Sequence, residues 1–361
     1  MKATQALHAL GQSLWLDNIS RKLLTSGTLR RYIDEDSVTG LTSNPTIYDK
    51  VIEESSFYDD ALKQMSERNK AGEELFFELA LQDLTQAADL FAPVHEATGG
   101  VDGWVSLEVS PLLADDTDRT IKAAADLHRR AQRPNLFIKI PGTPRGIPAI
   151  EETILTGVPV NVTLLFSPQQ YLAAAEAYMR GIERRLRAGL HPRVDSVASI
   201  FVSRWDVAVN KQVPRELRNC LGIAMAKRTY KAYRELLASS RWSELANRGA
   251  RPQRLLWAST GSKDPGASDT LYVEALAAPD TINTMPEKTL LAFADHGKVP
   301  GVLPVDGGDA ESVFAEFART GVDITTLALQ LQREGTQAFD KSWDSLMVCI
   351  AAKSAALRKT T

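Results

Sequence analysis

The stretch Asn135–Gly142, NLFIKIPG, places one lysine inside an apolar run. Leu136, Phe137, Ile138 and Ile140 read as a buried β-strand that Pro141-Gly142 ends. A lysine is seldom buried unless something pairs with it or uses it. An ammonium group cannot attack a carbonyl, whereas a neutral amine can, and burial in an apolar strand disfavours the charged form. Lys139 is therefore a candidate nucleophile: its amine would add to a ketone, lose water and leave a Schiff base. The iminium then accepts electrons when the adjacent carbon–carbon bond breaks. Dehydration and cleavage both need proton transfers, which a carboxyl group can shuttle directly or through one water. Asp17 in SLWLDNI and Glu108 in GWVSLEVS are the two acids placed in comparable strand positions.

Further polar residues stand where strands should end. Asn44 closes GLTSN, Asn161 and Thr163 lie in VPVNVTLLF, and Ser199 lies in SVASIFVS with Arg204 just beyond it. Asn44 and Asn161 suit substrate hydroxyls or a three-carbon intermediate. Arg204, Ser259, the Gly261 amide and Lys263 suit a phosphate, because a short Ser/Gly/Lys loop presents both amides and charge. Each residue also has a plain structural role open to it. Asp17 would serve as a cap for a helix near Ser20, Asn44-Pro45 as a turn, Asn161 and Thr163 as satisfied core polars, and Glu108 as an ion-pair partner of Lys139. Seven strand ends carrying such groups together favour a ligand site over a purely structural set.

The elements that must position these residues alternate. Eight strand candidates, from SLWLDNI to DTINTM, are separated for the most part by helix-period segments. Ser167-Pro168 opens one such helix as N-cap and first-turn residue, and Gly189 closes it. DDTDRTIKAAADLHRRAQ has an acidic start and a basic finish, as the helix dipole prefers. Strand and helix repeated eight times predict parallel strands, right-handed crossovers and an α/β fold of the (β/α)8 TIM barrel type. A doubly wound sheet is the rival, but no GxGxxG follows the first strand. The barrel is expected as one domain over residues 1–361, with about 320–358 as a C-terminal helical extension on its outside or over its mouth.

Composition excludes several classes. The 42 basic and 45 acidic residues give a formal net charge of −3, so no concentrated basic surface speaks for nucleic acid. Cys220 and Cys349 are far apart, and the N-terminal twenty residues lack an apolar signal core, so a cytoplasmic chain with two free thiols is expected. The sequons at Asn18 and Asn161 carry no meaning without secretion. None of the five histidines pairs at metal-ligand spacing, no CxxC is present, and no stretch approaches the 18 apolar residues of a membrane span. No metal, no organic cofactor and no membrane partner are expected.

The residues in this order resemble the transaldolase family, in its longer bacterial branch. WLDNISR, GLTSNPTIY, VSLEVSPLLADDT, NLFIKIPGTPRGIPAIE, NVTLLFSPQQY, SIFVSRWD and LWASTGSKDP carry the resemblance over nearly the whole chain. It implies Lys139 as the Schiff-base nucleophile, Asp17 as proton donor and acceptor in cleavage, and Glu108 acting through a water in carbinolamine formation and dehydration. It implies Asn44, Asn161, Thr163, Ser199 and Phe201 around the substrate, and Arg204 and Ser259 on its phosphate. Where other branches carry an arginine, this chain has Gly261, and Lys263 is expected to supply that charge. The reaction implied moves a dihydroxyacetone unit between sugar phosphates, in a monomer or homodimer and without a cofactor. The nearest alternative is a fructose 6-phosphate aldolase, a relative that has glutamine in place of Glu108 and tyrosine in place of Phe201. A metal-dependent aldolase and a barrel that only binds a sugar phosphate are the remaining alternatives.

Overall fold

A computed structural model describes residues 1–359, so the last two residues of the expected domain lie outside the described residues. Eight parallel strands close into a barrel in sequence order. They are β1 Ser13–Asp17, β2 Val38–Thr42, β3 Trp104–Glu108, β4 Leu136–Pro141, β5 Val160–Leu165, β6 Ser196–Phe201, β7 Arg254–Ala258 and β8 Ile282–Met285. All eight expected strands are present, and the TIM-barrel reading holds. The helices that bear on the site are labelled here as α1 Pro45–Glu54, α2 Gly72–Ala97, α3 Thr117–Ala131, α4 Pro168–Arg187, α5 Ser203–Val209, α6 Leu221–Leu237 and α7 Ile324–Lys359.

Local sequence explains the boundaries. Ser167 caps α4 by accepting from Gln170 N, the Gln170 side chain answers in a capping box, and Pro168 starts the first turn. Asp116 caps α3, whose last turn holds His128, Arg129 and Arg130. Several expected strands end early, and two of them show why. β2 stops at Thr42 because the Asn44 side chain accepts from Ile47 N and so begins α1. β6 stops at Phe201, and Ser203 already belongs to α5, so Arg204 stands on a helix and not on the strand. The C-terminal region is a single 36-residue helix, α7, preceded by a turn at 320–323.

Strand alternation divides the interior in two. Leu136, Ile138 and Ile140 of β4 point outward into the large core between barrel and helices. Phe137 points inward, into a cluster with Trp15, Trp104, Val197, Leu256, Ala258 and Ile282 that fills the lower barrel. Gly40 makes this layer possible, since a Cβ there would come within 2.7 Å of the Trp15 ring and the Trp104 carbonyl oxygen. Lys139, two residues beyond Phe137 on the same face, is carried above that layer. The register sets its neighbours: Glu108 of β3 and Asn161 of β5 both pair with Lys139, and Asp17 of β1 pairs with Thr42 of β2.

Candidate active site

Lys139 is 5% exposed and sits in the barrel wall just below the C-terminal mouth. Its Nζ donates to the Ser43 carbonyl oxygen at 3.0 Å and lies 3.4 Å from Glu108 Oε2. Burial raises the Glu108 carboxyl above its ordinary value; the Lys139 charge and hydrogen bond oppose this, and Asp17 adds to it. Across the barrel, Asp17 opens onto the mouth cavity rather than onto bulk water. Burial raises its carboxyl as well, against the charge of Lys139, a hydrogen bond from Thr42 and the more distant charge of Lys263. Thr42 Oγ1 donates to Asp17 Oδ1 at 2.8 Å, so at the 2.8 Å contact between Thr42 and Thr284 the proton comes from Thr284. Asp17 is not a helix cap: Ser20 performs that task for the short helix Arg21–Thr25.

A cavity of about 350 Å³ occupies the mouth. Ten expected residues line it together: Asp17, Asn44, Lys139, Thr163, Ser199, Phe201, Arg204, Ser259, Gly261 and Lys263. Glu108 and Asn161 do not. Glu108 borders a separate gap of about 10 Å³ beside Pro141 and Phe339, at the lower limit of the space one water needs. Asn161 is fully buried below the cavity, where its amide nitrogen donates to Ser106 Oγ at 3.1 Å and its oxygen accepts from Ser199 Oγ at 2.8 Å. It therefore meets the cavity through Ser199. Thr163 differs: it is completely buried, its hydroxyl has no partner, and it lines the cavity.

The lining is strongly cationic. Lys50, Lys139, Arg204 and Lys263 face a single acid, Asp17. Among the described residues the side chains of Lys50, Arg204 and Lys263 form no hydrogen bond or ion pair, so their charges remain available to an anion. Ser259 follows β7 in a left-handed conformation, φ 56°, and its hydroxyl lies 2.9 Å from Ser203 Oγ at the start of α5. A non-glycine residue held in that region signals local strain of the kind found at ligand sites. The sequence did not single out Lys50, Thr284 or Phe339, which also line the cavity. Thr284 had a signal, a hydroxyl one residue from the end of β8. Phe339 had none, because it arrives from α7, far along the chain.

The family model of transaldolase/fructose-6-phosphate aldolase matches residues 14–350. The chain belongs to that family. It is 46% identical over 352 residues to the transaldolase of Saccharopolyspora erythraea, covering 95% of each chain. To the transaldolase of Mycobacterium tuberculosis it is 44% identical, covering 95% of this chain and 94% of the other. To that of Mycobacterium ulcerans it is 43% identical over 98% of both. Among the described residues no helix is long and apolar enough to cross a membrane, and no cluster of three His, Cys, Asp or Glu residues offers a metal site.

Proposed function

We infer that the chain is a transaldolase, transferring a dihydroxyacetone unit from sedoheptulose 7-phosphate to glyceraldehyde 3-phosphate to give erythrose 4-phosphate and fructose 6-phosphate. The observation that carries this reading is Lys139 Nζ, buried in the barrel wall at 3.4 Å from Glu108 and facing one cavity with Asp17 and three unpaired cations.

The geometry supports the following steps. Lys139 passes its proton to the Glu108 carboxylate, 3.4 Å away, and the neutral amine then adds to the ketone carbon of the donor. Glu108, whose carboxyl burial makes easier to protonate, exchanges protons with the resulting carbinolamine through a water, and dehydration gives the iminium. The hydroxyl on the next carbon but one then gives its proton to Asp17 as the carbon–carbon bond breaks. The electron pair flows into the iminium, leaving an enamine on Lys139 and a free aldose phosphate. The acceptor aldehyde enters, the enamine carbon attacks it, and Asp17 returns the proton to the new alkoxide. Water then hydrolyses the product iminium, so the molecule lost at the first dehydration is regained. Asn44, whose oxygen is engaged as the α1 cap, turns its amide nitrogen to substrate hydroxyls, and Thr163 and Ser199 line the same wall. Arg204, Ser259 and Lys263 hold the phosphate. Transfer is favoured over simple aldol cleavage because the curated relatives of near full length are transaldolases, and because Glu108 and Phe201 stand where the resemblance places the transaldolase residues.

Borohydride reduction in the presence of fructose 6-phosphate is the test. A three-carbon or six-carbon adduct is expected on the peptide that contains Lys139, and none in Lys139→Ala, whose turnover should fall by roughly four orders of magnitude or more. Ketose consumption without any adduct in the parent chain would overturn the Schiff-base reading. Free dihydroxyacetone as the main product in the presence of acceptor would overturn transfer.

A further inference from the structure

The C-terminal helix does more than cover the barrel. Gln332, Gly335, Phe339, Trp343 and Leu346 of α7 recur at helical spacing and share the face turned to the barrel top. Gln332 is buried, and its Nε2 donates to the Gly142 oxygen at 3.0 Å and to the Leu164 oxygen at 2.9 Å, at the ends of β4 and β5. Leu164 lies in an irregularity of β5, with φ 59°, a conformation a leucine rarely adopts. Gly335 lets the helix settle onto this bulge, because a Cβ there would come within 2.9 Å of Leu164 Cδ2. On the other side Ser342 Oγ lies 2.8 Å from Thr46 Oγ1 at the start of α1, and Trp343 packs edge-on against Phe76 of α2 with ring centres 5.1 Å apart. The helix is thus fixed both before and after Phe339.

Phe339 is the one residue of α7 that lines the mouth cavity among the described residues. It also lines the gap beside Glu108 and a cleft of about 90 Å³ beside Phe201 and Arg204. Its ring therefore borders three separate spaces, of which the mouth cavity is also lined by Lys139. A bulge, a buried latch and a glycine contact all serve to hold that ring in place. A strand bulge beside an active site commonly re-aims a side chain; here it gives the helix its seat.

We propose that Phe339 is a specificity-determining residue of this same site, closing the mouth so that the enamine on Lys139 meets an aldehyde rather than water. The inference rests on the transaldolase reading. Two fates compete for the enamine. In one, its carbon forms a bond to the acceptor carbonyl carbon and the acceptor oxygen takes the proton held by Asp17. In the other, the same carbon takes a proton from a water that has entered the mouth. Water then adds to the iminium, the carbon–nitrogen bond breaks, and dihydroxyacetone leaves with the Lys139 amine restored. The second fate needs water to reach the enamine from solvent, and an aromatic ring fixed across the mouth excludes it.

The experiment compares the parent chain with Phe339→Ala and Phe339→Leu, using fructose 6-phosphate as donor with and without erythrose 4-phosphate. Free dihydroxyacetone and transferred product are measured together, in deuterated water so that protonation of the three-carbon unit is counted by mass. Phe339→Ala should raise the ratio of release to transfer by about tenfold, with Phe339→Leu in between, while borohydride still traps the adduct on Lys139. An unchanged ratio with trapping intact would overturn the proposal and leave α7 a structural cover. Should Phe339→Ala fail to fold, Phe339→Leu against the parent carries the same comparison, with the same two outcomes. Absence of trapping in the parent itself would instead remove the Schiff-base reading, a distinct failure.

Discussion

The two ends of this barrel hold cavities of opposite character. The N-terminal one is larger, about 510 Å³ against about 350 Å³ at the mouth, and it carries aspartates and arginines in plenty. Those charges are consumed by neighbours. Arg251 pairs with Asp195 at 3.1 Å, and Asp280 with Arg234 at 3.1 Å. Arg254 donates to Ser13 Oγ at 2.6 Å and to the Thr281 oxygen at 3.0 Å, and Asp102 accepts from Trp15 Nε1 at 2.8 Å. At the mouth the reverse holds. Lys50, Arg204 and Lys263 face the cavity unpaired, two carboxyls are held above their ordinary values, and the left-handed Leu164 and Ser259 store strain. Cavity volume alone would have chosen the wrong end. Function follows from charge left uncompensated at the strand C-termini, whereas compensated charge at the other end ties the barrel shut.

The comparison breaks first at Asp17. Asp17→Asn keeps the size of the side chain and the hydrogen bond to Thr42 but cannot take the hydroxyl proton. A loss of about 10²–10⁴-fold in kcat is expected, with Schiff base accumulating on Lys139 and stability changed little. Single-turnover kinetics with borohydride quench measure it. Parent-like kinetics would move Asp17 to the structural side of the comparison.

Trp104 tests the opposite end. It is 3% exposed, stacked on Phe137 with ring centres 4.1 Å apart and edge-on to His95 at 4.9 Å. Trp104→Ala should cost about 3–5 kcal/mol in urea unfolding, as a large buried aromatic does. Its kcat, corrected for folded fraction, should change by less than about tenfold, since this end reads as stability. A larger kinetic loss would mean that the lower layer positions Lys139 through Phe137, two residues away on the same strand, and the two ends could not be treated apart.

How legible each end was from sequence follows the same division. Lys139, Asp17 and Glu108 could be read because a charged residue within an apolar strand violates a local pattern. The strands could be read because alternation and turn residues are local too. Arg204 was found just beyond its strand, yet the helix that carries it was not, since a helix beginning at Ser203 straight after a strand leaves no gap to detect. Asn161 was read as touching substrate because its two partners, Ser106 and Ser199, come from neighbouring strands and only the closed barrel brings them within bonding distance. Phe339 escaped altogether: a phenylalanine in an amphipathic helix looks like core, and its place over the mouth depends on Gln332 meeting the ends of β4 and β5.

The smallest effect separates two buried carboxyls near the mouth. Asp206, two residues after Arg204 in α5, accepts from Tyr272 Oη at 2.8 Å, from Leu221 N at 2.9 Å and from Gly222 N at 3.2 Å, holding the start of α6. Burial outweighs these donors and pushes its carboxyl from the ordinary 3.8 up to about 6. The folded chain therefore keeps a proton that the unfolded chain has already released. The stability this contributes is fully present below pH 3.8 and is lost as the pH rises through about 6. Asp206→Asn retains an oxygen for the α6 amides and cannot titrate. Relative to that variant, the unfolding free energy of the parent should fall on the order of 2–3 kcal/mol across this window and run parallel above it. The acid limb of kcat/KM, which follows Asp17, should be the same in both. Parallel stability curves throughout would show that Asp206 is ionised from low pH. A displaced acid limb would place Asp206 in the proton path, and the contrast between a carboxyl that binds the fold and one that moves protons would no longer hold at this end of the barrel.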